Sequence, residues 1–256
     1  MRALRFVYRK LLPLNFGRRL DLFRYLRGSD PLSPAEIEQG KSVLVFSPHP
    51  DDDIIGCGGT LCKHSLAGNR IVIVYVTDGR KGGSSYNEEE LVRIRMDEAR
   101  RAAGIIGVDE LIFLGLPDGE LKMDKKNVME IVSILRNVKP DIVFLPFLMD
   151  NHGDHMATND IFVKASRVYN MDFICYGYEV WTPLSSPNFV VDISKELPIK
   201  IAALKQHESQ IRECDFIDAF TGLSRYRGAL HKKGRSAEAF VRCSVTEYRR
   251  LWEVVR

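Results

Sequence analysis

No charge of one sign dominates this chain, and no apolar run in it is long enough to cross a bilayer. Its 37 lysines and arginines nearly balance 34 aspartates and glutamates, leaving a formal charge of +3. The overall pull on nucleic acid is therefore weak, and no alternation of basic and aromatic residues marks an RNA- or DNA-binding module. Nucleic acid is not an expected partner. Runs of the roughly 18 to 20 apolar residues that a membrane helix needs are missing, as is the uninterrupted apolar stretch of a signal peptide. A soluble, cytoplasmic protein is expected. Cysteine is scarce and lacks pairing: Cys57, Cys62, Cys175, Cys214 and Cys243 form an odd, scattered set, and the spacing of Cys57 and Cys62 does not suit a zinc ribbon. They read as buried thiols in a reducing compartment. Internal repeats and low-complexity tracts are also absent, and oligomeric state leaves no mark in the sequence.

What the sequence does have is a long stretch of alternating periods. With 256 residues, 45% of them hydrophobic, it suits one α/β domain with a sizeable core. Between Lys41 and Glu179, short β-branched runs (Ser42 to Phe46, Ile71 to Thr77, Leu111 to Leu114, Asp141 to Leu145, Phe173 to Tyr178) read as strands. They alternate with segments carrying apolar residues at helical spacing: Ile54 to Ala67, Glu88 to Ala103, Lys126 to Asn137 and Thr158 to Val168. That order predicts a Rossmann-like, mostly parallel sheet with helices on both faces. Further on, Phe189 to Asp192 reads as a strand and Pro198 to Glu213 as a helix, while Thr246 to Val254 suits either. The domain is expected over residues 39–256. Residues 1–38 form a basic N-terminal extension: within Met1 to Arg27, seven arginines and Lys10 face a single acid, Asp21, and Leu4, Val7, Tyr8 and Leu11 make a partial apolar stripe. Such a segment packs on its own domain or makes a peripheral contact with an anionic membrane.

In open parallel sheets the ligand sits beyond the carboxyl ends of the strands. Four of the predicted strands run into concentrated polar chemistry there: Ser47-Pro48-His49-Pro50-Asp51-Asp52-Asp53, Thr77-Asp78-Gly79-Arg80, Gly115-Leu116-Pro117-Asp118-Gly119, and a stretch ending Asp150-Asn151-His152-Gly153-Asp154-His155. Three adjacent carboxylates beside a histidine repel one another unless a cation or protons intervene. A divalent metal resolves the conflict. Catalytic zinc takes three protein ligands from imidazole and carboxylate and keeps a position open; His49, Asp52 and His155 supply such a set, and another divalent metal suits the same donors. An Asp-rich turn capping the following helix through Asp52 or Asp53 is the plainer alternative, weakened by the second histidine cluster at the matching sheet edge. Hydrolysis also needs a base for the attacking water and an acid for the leaving group. Asp51, beside Asp52, is the candidate base. His152, one helical turn before His155, is the candidate oxyanion stabiliser or acid, with Asp154 or Asp150 orienting it; as alternatives, His152 is a metal ligand and Asp154 a helix cap.

These two motifs together resemble the PIG-L/LmbE-like N-acetylglucosaminyl de-N-acetylase family. The segments between them are similar too: Thr77-Asp78-Gly79, Arg95-Met96-Asp97-Glu98, Leu114-Gly115-Leu116-Pro117-Asp118-Gly119 and Lys205-Gln206-His207-Glu208-Ser209-Gln210, so the likeness runs from about Ser42 to Gln210. The resemblance implies a Rossmann-like fold, zinc on His49, Asp52 and His155, Asp51 as general base, His152 at the oxyanion, and substrate contacts from Arg95 and Asp118. The alternatives are a solvated helical pair of Arg95 with Asp97 or Glu98, and a tight-turn role for Asp118 beside Gly119. Two positions depart from the family pattern: Asp53 stands where Glu is usual, and Gly153 where Pro is frequent.

The expected reaction is zinc-dependent hydrolysis of the N-acetyl amide of an N-acetylglucosamine-type conjugate, a small molecule whose aglycone the sequence leaves open; the alternative is a zinc hydrolase of another amide or ester. Tyr178 and Trp181 offer sugar-stacking faces. A nucleotide-binding reading of Gly56-Cys57-Gly58-Gly59 is weak, because His49 to Asp53 occupy the strand-to-helix position that dinucleotide glycines require.

Overall fold

The computed structural model describes residues 37–256, so the extension expected over residues 1–38 lies outside the described residues except for Ile37 and Glu38. The strands are β1 (Ser42–Ser47), β2 (Arg70–Thr77), β3 (Glu110–Leu116), β4 (Ile142–Pro146), β5 (Ile174–Tyr178), β6 (Phe189–Asp192) and β7 (Ala237–Ser244). They form one seven-stranded sheet in the order β3-β2-β1-β4-β5-β7-β6. The first five strands pair in parallel. β7 runs antiparallel between β5 and β6.

The helices are α1 (Asp52–Leu66), α2 (Glu88–Ile106), α3 (Lys125–Val138), α4 (Gly153–Tyr169), α5 (Leu197–Leu204), α6 (Glu208–Ile211), α7 (Phe216–His231) and α8 (Val245–Val255). They cover both faces, which is why β1, β2 and β4 are almost continuously apolar and buried. On one face α3, α4 and α8 close over Leu44, Phe46, Val72, Val74 and Val143. On the other α1, α2, α5 and α7 close over Val43, Val45, Ile71, Ile73 and Phe144. Asn87 and Asp124 cap α2 and α3 through their side chains.

The predicted alternation holds, with three differences. α4 begins at Gly153, so His155 sits on its first turn. The segment expected as one helix from Pro198 is two, α5 and α6. α7 and β7 had no sequence-based expectation, and Val245–Val255 is a helix with a capping box of Ser244 and Glu247. No described helix is long and apolar enough to cross a membrane.

The glycine run in α1 serves packing. A Cβ on Gly56 would stand 2.2 Å from the Tyr178 ring, and one on Gly59 2.8 Å from Ile193. Their absence lets α1 press onto Tyr178 of β5 and onto Ile193 just after β6, where Glu238 of β7 accepts the Gly59 and Thr60 N–H groups at 2.9 and 2.7 Å. Lys200 of α5 completes this buried joint, donating to Glu238 at 2.7 Å and to the Ile55 carbonyl at 2.8 Å. The first turn of α1, which carries Asp52 and Asp53, is thereby fixed from behind.

Candidate active site and metal centre

β1 ends at Ser47 and the chain turns through Pro48-His49-Pro50-Asp51 into α1. Ser47 Oγ donates to the His49 carbonyl at 2.7 Å and to Asp53 Oδ1 at 3.1 Å, and Thr77 N and Oγ1 both donate to the Pro48 carbonyl, at 2.9 and 2.8 Å. The turn is therefore tied to its own strand and to β2. Asp51 is the residue before α1, yet its carboxylate makes no capping bond. None of the three adjacent acids is spent as a helix cap through its side chain, unlike the plainer sequence alternative.

Each acid has a separate environment. Asp53 is fully buried and takes hydrogen bonds from Ser47 and from Tyr75 Oη at 3.2 Å; burial outweighs these and pushes its carboxyl up to about 7. Burial also raises Asp51, opposed by the Arg95 guanidinium, whose Nη2 lies 3.1 Å from Asp51 Oδ2. For Asp52 burial acts upward too, but the His155 and His49 imidazoles win and hold it well below the usual carboxylate range.

Asp52 Oδ2 is one corner of a triangle. It lies 3.1 Å from His49 Nδ1 and 3.1 Å from His155 Nε2, and these two nitrogens are 3.4 Å apart. Ligand atoms around a tetrahedral zinc with bonds of about 2.0 to 2.1 Å are about 3.3 Å apart, so the donor set fits a divalent ion. The far side of each ring agrees. His49 Nε2 faces Asp154 Oδ2 at 3.2 Å and Asp118 Oδ1 at 3.3 Å, and His155 Nδ1 faces Asp150 Oδ1 at 3.5 Å, an ion-pair contact without hydrogen-bond geometry. With the ring N–H on those outer nitrogens, His49 Nδ1 and His155 Nε2 present lone pairs to the triangle. Burial lowers the proton affinity of both rings, but the carboxylates around them override it: His155 is lifted to about 9 and His49 well above its ordinary value. The pocket thus demands positive charge.

His152 closes the triangle's open side, its ring centroid 4.7 Å from that of His49 and 4.9 Å from that of His155. A ring nitrogen of each of the three histidines falls in one cluster able to hold an ion, so the ligand alternative for His152 is sterically feasible. His152 Nδ1, however, accepts the Asp154 N–H at 3.3 Å at the start of α4, which leaves Nε2 as the ring's donor. Burial, then the neighbouring His49 and His155 charges, lower its proton affinity. Of the two expected orienters of His152, Asp150 Oδ1 accepts its backbone N–H at 3.0 Å and the Asp154 N–H meets its ring, while the two carboxylates also face His155 and His49.

The two expected substrate contacts are both buried. Arg95 is 2% exposed; besides Asp51 it donates to the Gly79 carbonyl at 3.0 Å. A Cβ on Gly79 or Gly82 would stand 2.8 or 2.1 Å from Arg95 Nη1, so both positions need glycine for the guanidinium to fit. Asp118 accepts the Lys81 N–H at 2.9 Å while its other oxygen faces His49; burial would raise it, but the His49 contact holds it below the ordinary range. The solvated pairing of Arg95 with Asp97 or Glu98 is not formed: Glu98 accepts Ser209 N and Oγ, both at 2.7 Å, and Asp97 pairs with Arg100. Sequence reasoning did not find that Arg95 supports Asp51, nor that Ser209 anchors the helix carrying it, although the Lys205-Gln206-His207-Glu208-Ser209-Gln210 segment was the visible signal.

A mostly parallel α/β sheet carries at its carboxyl edge a buried His–Asp–His triangle that could hold a metal ion, with a separate carboxylate beside it. The sequence matches the GlcNAc-PI de-N-acetylase family over residues 44–166. It is 32% identical to diacetylchitobiose deacetylase of Thermococcus kodakarensis over 190 residues, spanning 68% of this chain and 71% of that one. It is 25% identical to a probable N-acetyl-α-D-glucosaminyl L-malate deacetylase of Bacillus anthracis, over 66% of this chain and 81% of that one. The fold superposes on N,N′-diacetylchitobiose deacetylase of Pyrococcus horikoshii with a TM-score of 0.74 at 27% identity, covering 92% and 95% of the two chains. The chain belongs to the PIG-L (LmbE-like) deacetylase family and is a hydrolase of amide bonds.

Proposed function

We propose that this enzyme removes the acetyl group from an N-acetylglucosamine-type conjugate, releasing acetate and a free amino sugar, with zinc held by His49, Asp52 and His155. The observation that carries the reading is the triangle of His49 Nδ1, Asp52 Oδ2 and His155 Nε2, and the relatives' substrates point to amino sugars. When bound, zinc polarises the amide carbonyl and makes water more acidic.

The rest is the work of side chains. Asp51, free of capping duty, takes the proton from the attacking water as general base. Arg95 holds that carboxylate in place and opposes its protonation. His152, with Nδ1 engaged by the Asp154 N–H, presents Nε2–H to the oxygen that becomes negative, or passes a proton to the leaving nitrogen. Asp154 and Asp118 fix the His49 ring; the remaining rim of Asp118 faces the sugar. For the basic segment Met1 to Arg27, ahead of the catalytic domain of residues 39–256, the two readings are packing on its own domain and a peripheral contact with anionic membrane. Loss of its vesicle binding on truncation, with turnover retained, supports the membrane contact; equal binding of both forms supports packing.

The test separates base from ligand. Asp51→Asn should keep zinc while kcat falls by roughly 10²- to 10⁴-fold, and Asp52→Asn should lose zinc and recover part of its activity in excess metal. Elemental analysis and acetate release from a panel of N-acetylglucosamine conjugates decide it; two variants with full zinc and normal turnover refute the mechanism.

A further inference from the structure

The loop after β5 carries a tryptophan that core packing does not explain. Trp181 is 46% exposed, and among the described residues its one ring contact is an edge on Phe216, with centroids 5.9 Å apart at 67°. Yet its backbone is tied on both sides of the loop. Asp150 Oδ2 accepts the N–H groups of Trp181 and Thr182 at 3.0 and 3.3 Å. On the far limb, Glu179 accepts the Leu184 N–H and pairs with Arg227, which also donates to the Leu184 carbonyl at 2.6 Å. Asp150 and Glu179 are 3% and 5% exposed, so two buried carboxylates clamp one short loop around one exposed aromatic.

The same clamp sets its location. Asp150 reaches Trp181 through Oδ2 and the zinc-ligand candidate His155 through Oδ1. Summing those contacts, Trp181 Cα lies within about 10 Å of the His155 ring. That is the scale of a neighbouring sugar ring, beyond the ring whose acetamide is cleaved. Its surroundings also select the ligand. The exposed or half-exposed residues are Thr182, Pro183, Ser185 and Ser186 on the loop, and Glu213, Cys214, Asp215 and Ile217 beside Phe216, so hydroxyls and charges interrupt any apolar cover. A lone open aromatic among hydroxyls and charges suits a pyranose, with one apolar C–H face and a rim of hydroxyls, better than an acyl chain, which needs continuous apolar cover.

We propose that Trp181 is a preorganised stacking platform for the second sugar ring of the substrate, which makes it a specificity residue for a glycan longer than one unit. This rests on the amino-sugar deacetylase reading above. Rigid anchoring means that little conformational freedom is lost when the sugar docks.

The test compares N-acetylglucosamine with N,N′-diacetylchitobiose in the zinc-loaded enzyme. Trp181→Ala should raise KM for the disaccharide about tenfold with kcat within about twofold, leave the monosaccharide KM unchanged, and be largely rescued by Trp181→Phe. Equal effects on both sugars, or none on the disaccharide, overturn the platform. Binding is read separately in a Trp252→Phe background, where Trp181 is the sole tryptophan. The disaccharide should shift its emission saturably and the monosaccharide should not, and absence of a disaccharide shift overturns the proposal. If the enzyme releases acetate from neither sugar while that shift is present, the deacetylase reading fails and the platform stands.

Discussion

Arg95 and Asp51 form an ion pair at 3.1 Å in which the arginine is only 2% exposed, so the proposed base of the reaction is held by a residue with almost no access to solvent. Removing one partner of such a pair leaves the other charge buried, which costs about 3 to 5 kcal/mol. Arg95→Ala should therefore lower unfolding stability by that order and depress kcat together with it. Arg95→Lys restores charge but not the forked contact to Asp51 and Gly79, and should recover stability more than kcat. Denaturant unfolding beside steady-state kinetics tests this; an Arg95→Ala variant with wild-type kcat would show that the pair is only structural.

Asp118 and Asp154 approach the same nitrogen of His49. Loss of such a partner behind a ligating imidazole weakens metal binding about 10- to 100-fold. Asp154→Asn and Asp118→Asn should each do so, measured by competition with a chelator of known affinity, without abolishing binding as Asp52→Ala should. Unchanged affinity in both variants would mean that His49 is oriented by its own backbone turn.

His64 lies far from this chemistry and reports on folding. Its Nδ1 accepts from Asn69 Nδ2 at 2.8 Å, and burial lowers its proton affinity to about 4. An unfolded histidine titrates near 6.5, so between those values the unfolded state binds more protons and stability falls as pH falls. This contribution, on the order of 3 kcal/mol, is fully present above pH about 6.5 and gone below about 4. His64→Gln, which keeps an acceptor without a titrating ring, should flatten that part of the urea-unfolding profile. A profile of unchanged slope would place the acid sensitivity elsewhere.

Lys200 and Glu238 are each 2% exposed at the side chain and join α5 to β7 behind α1. Lys200→Met should destabilise by about 3 to 5 kcal/mol by leaving Glu238 unpaired. Adding Glu238→Gln, which keeps an acceptor for Gly59 N or Thr60 N, should recover part of the loss. A double-mutant cycle reads this directly, and strict additivity would rule out the coupling.

Much of the fold was legible because both faces of the sheet are covered: β1, β2 and β4 are buried along their length, and a continuously apolar strand is easy to read. The His49 to Asp53 turn and the Asp150 to His155 segment were legible for the opposite reason, as charge placed where the chain has just been apolar. β7 escaped because its Arg242 and Glu238 break the apolar run, and both answer to distant partners, Tyr176 and Lys200. α7 escaped because its buried face includes Thr221, Ser224 and Arg227. The pairings Arg95 with Asp51 and Asp154 with His49 span 44 and 105 positions, distances at which local spacing carries no information. Tyr178, proposed from sequence as a sugar face, is fully buried with its hydroxyl on the Phe46 carbonyl at 2.8 Å; an aromatic at a strand end reads alike whether it faces ligand or core.

The antiparallel β7, lying between β5 and β6, also dictates the order in which the protein can be built. During synthesis β6 emerges first but has no neighbour, since among the described strands its one partner is β7. That partner leaves the ribosome about fifty residues later, a delay of several seconds at ordinary elongation rates. Until then β5 is an uncovered edge, and α1 lacks the Glu238 carboxylate that receives Gly59 and Thr60. The nascent chain therefore holds its catalytic turn before it holds the joint that fixes it, and a chain stopped short of Ala237 should display an open strand edge prone to joining another copy.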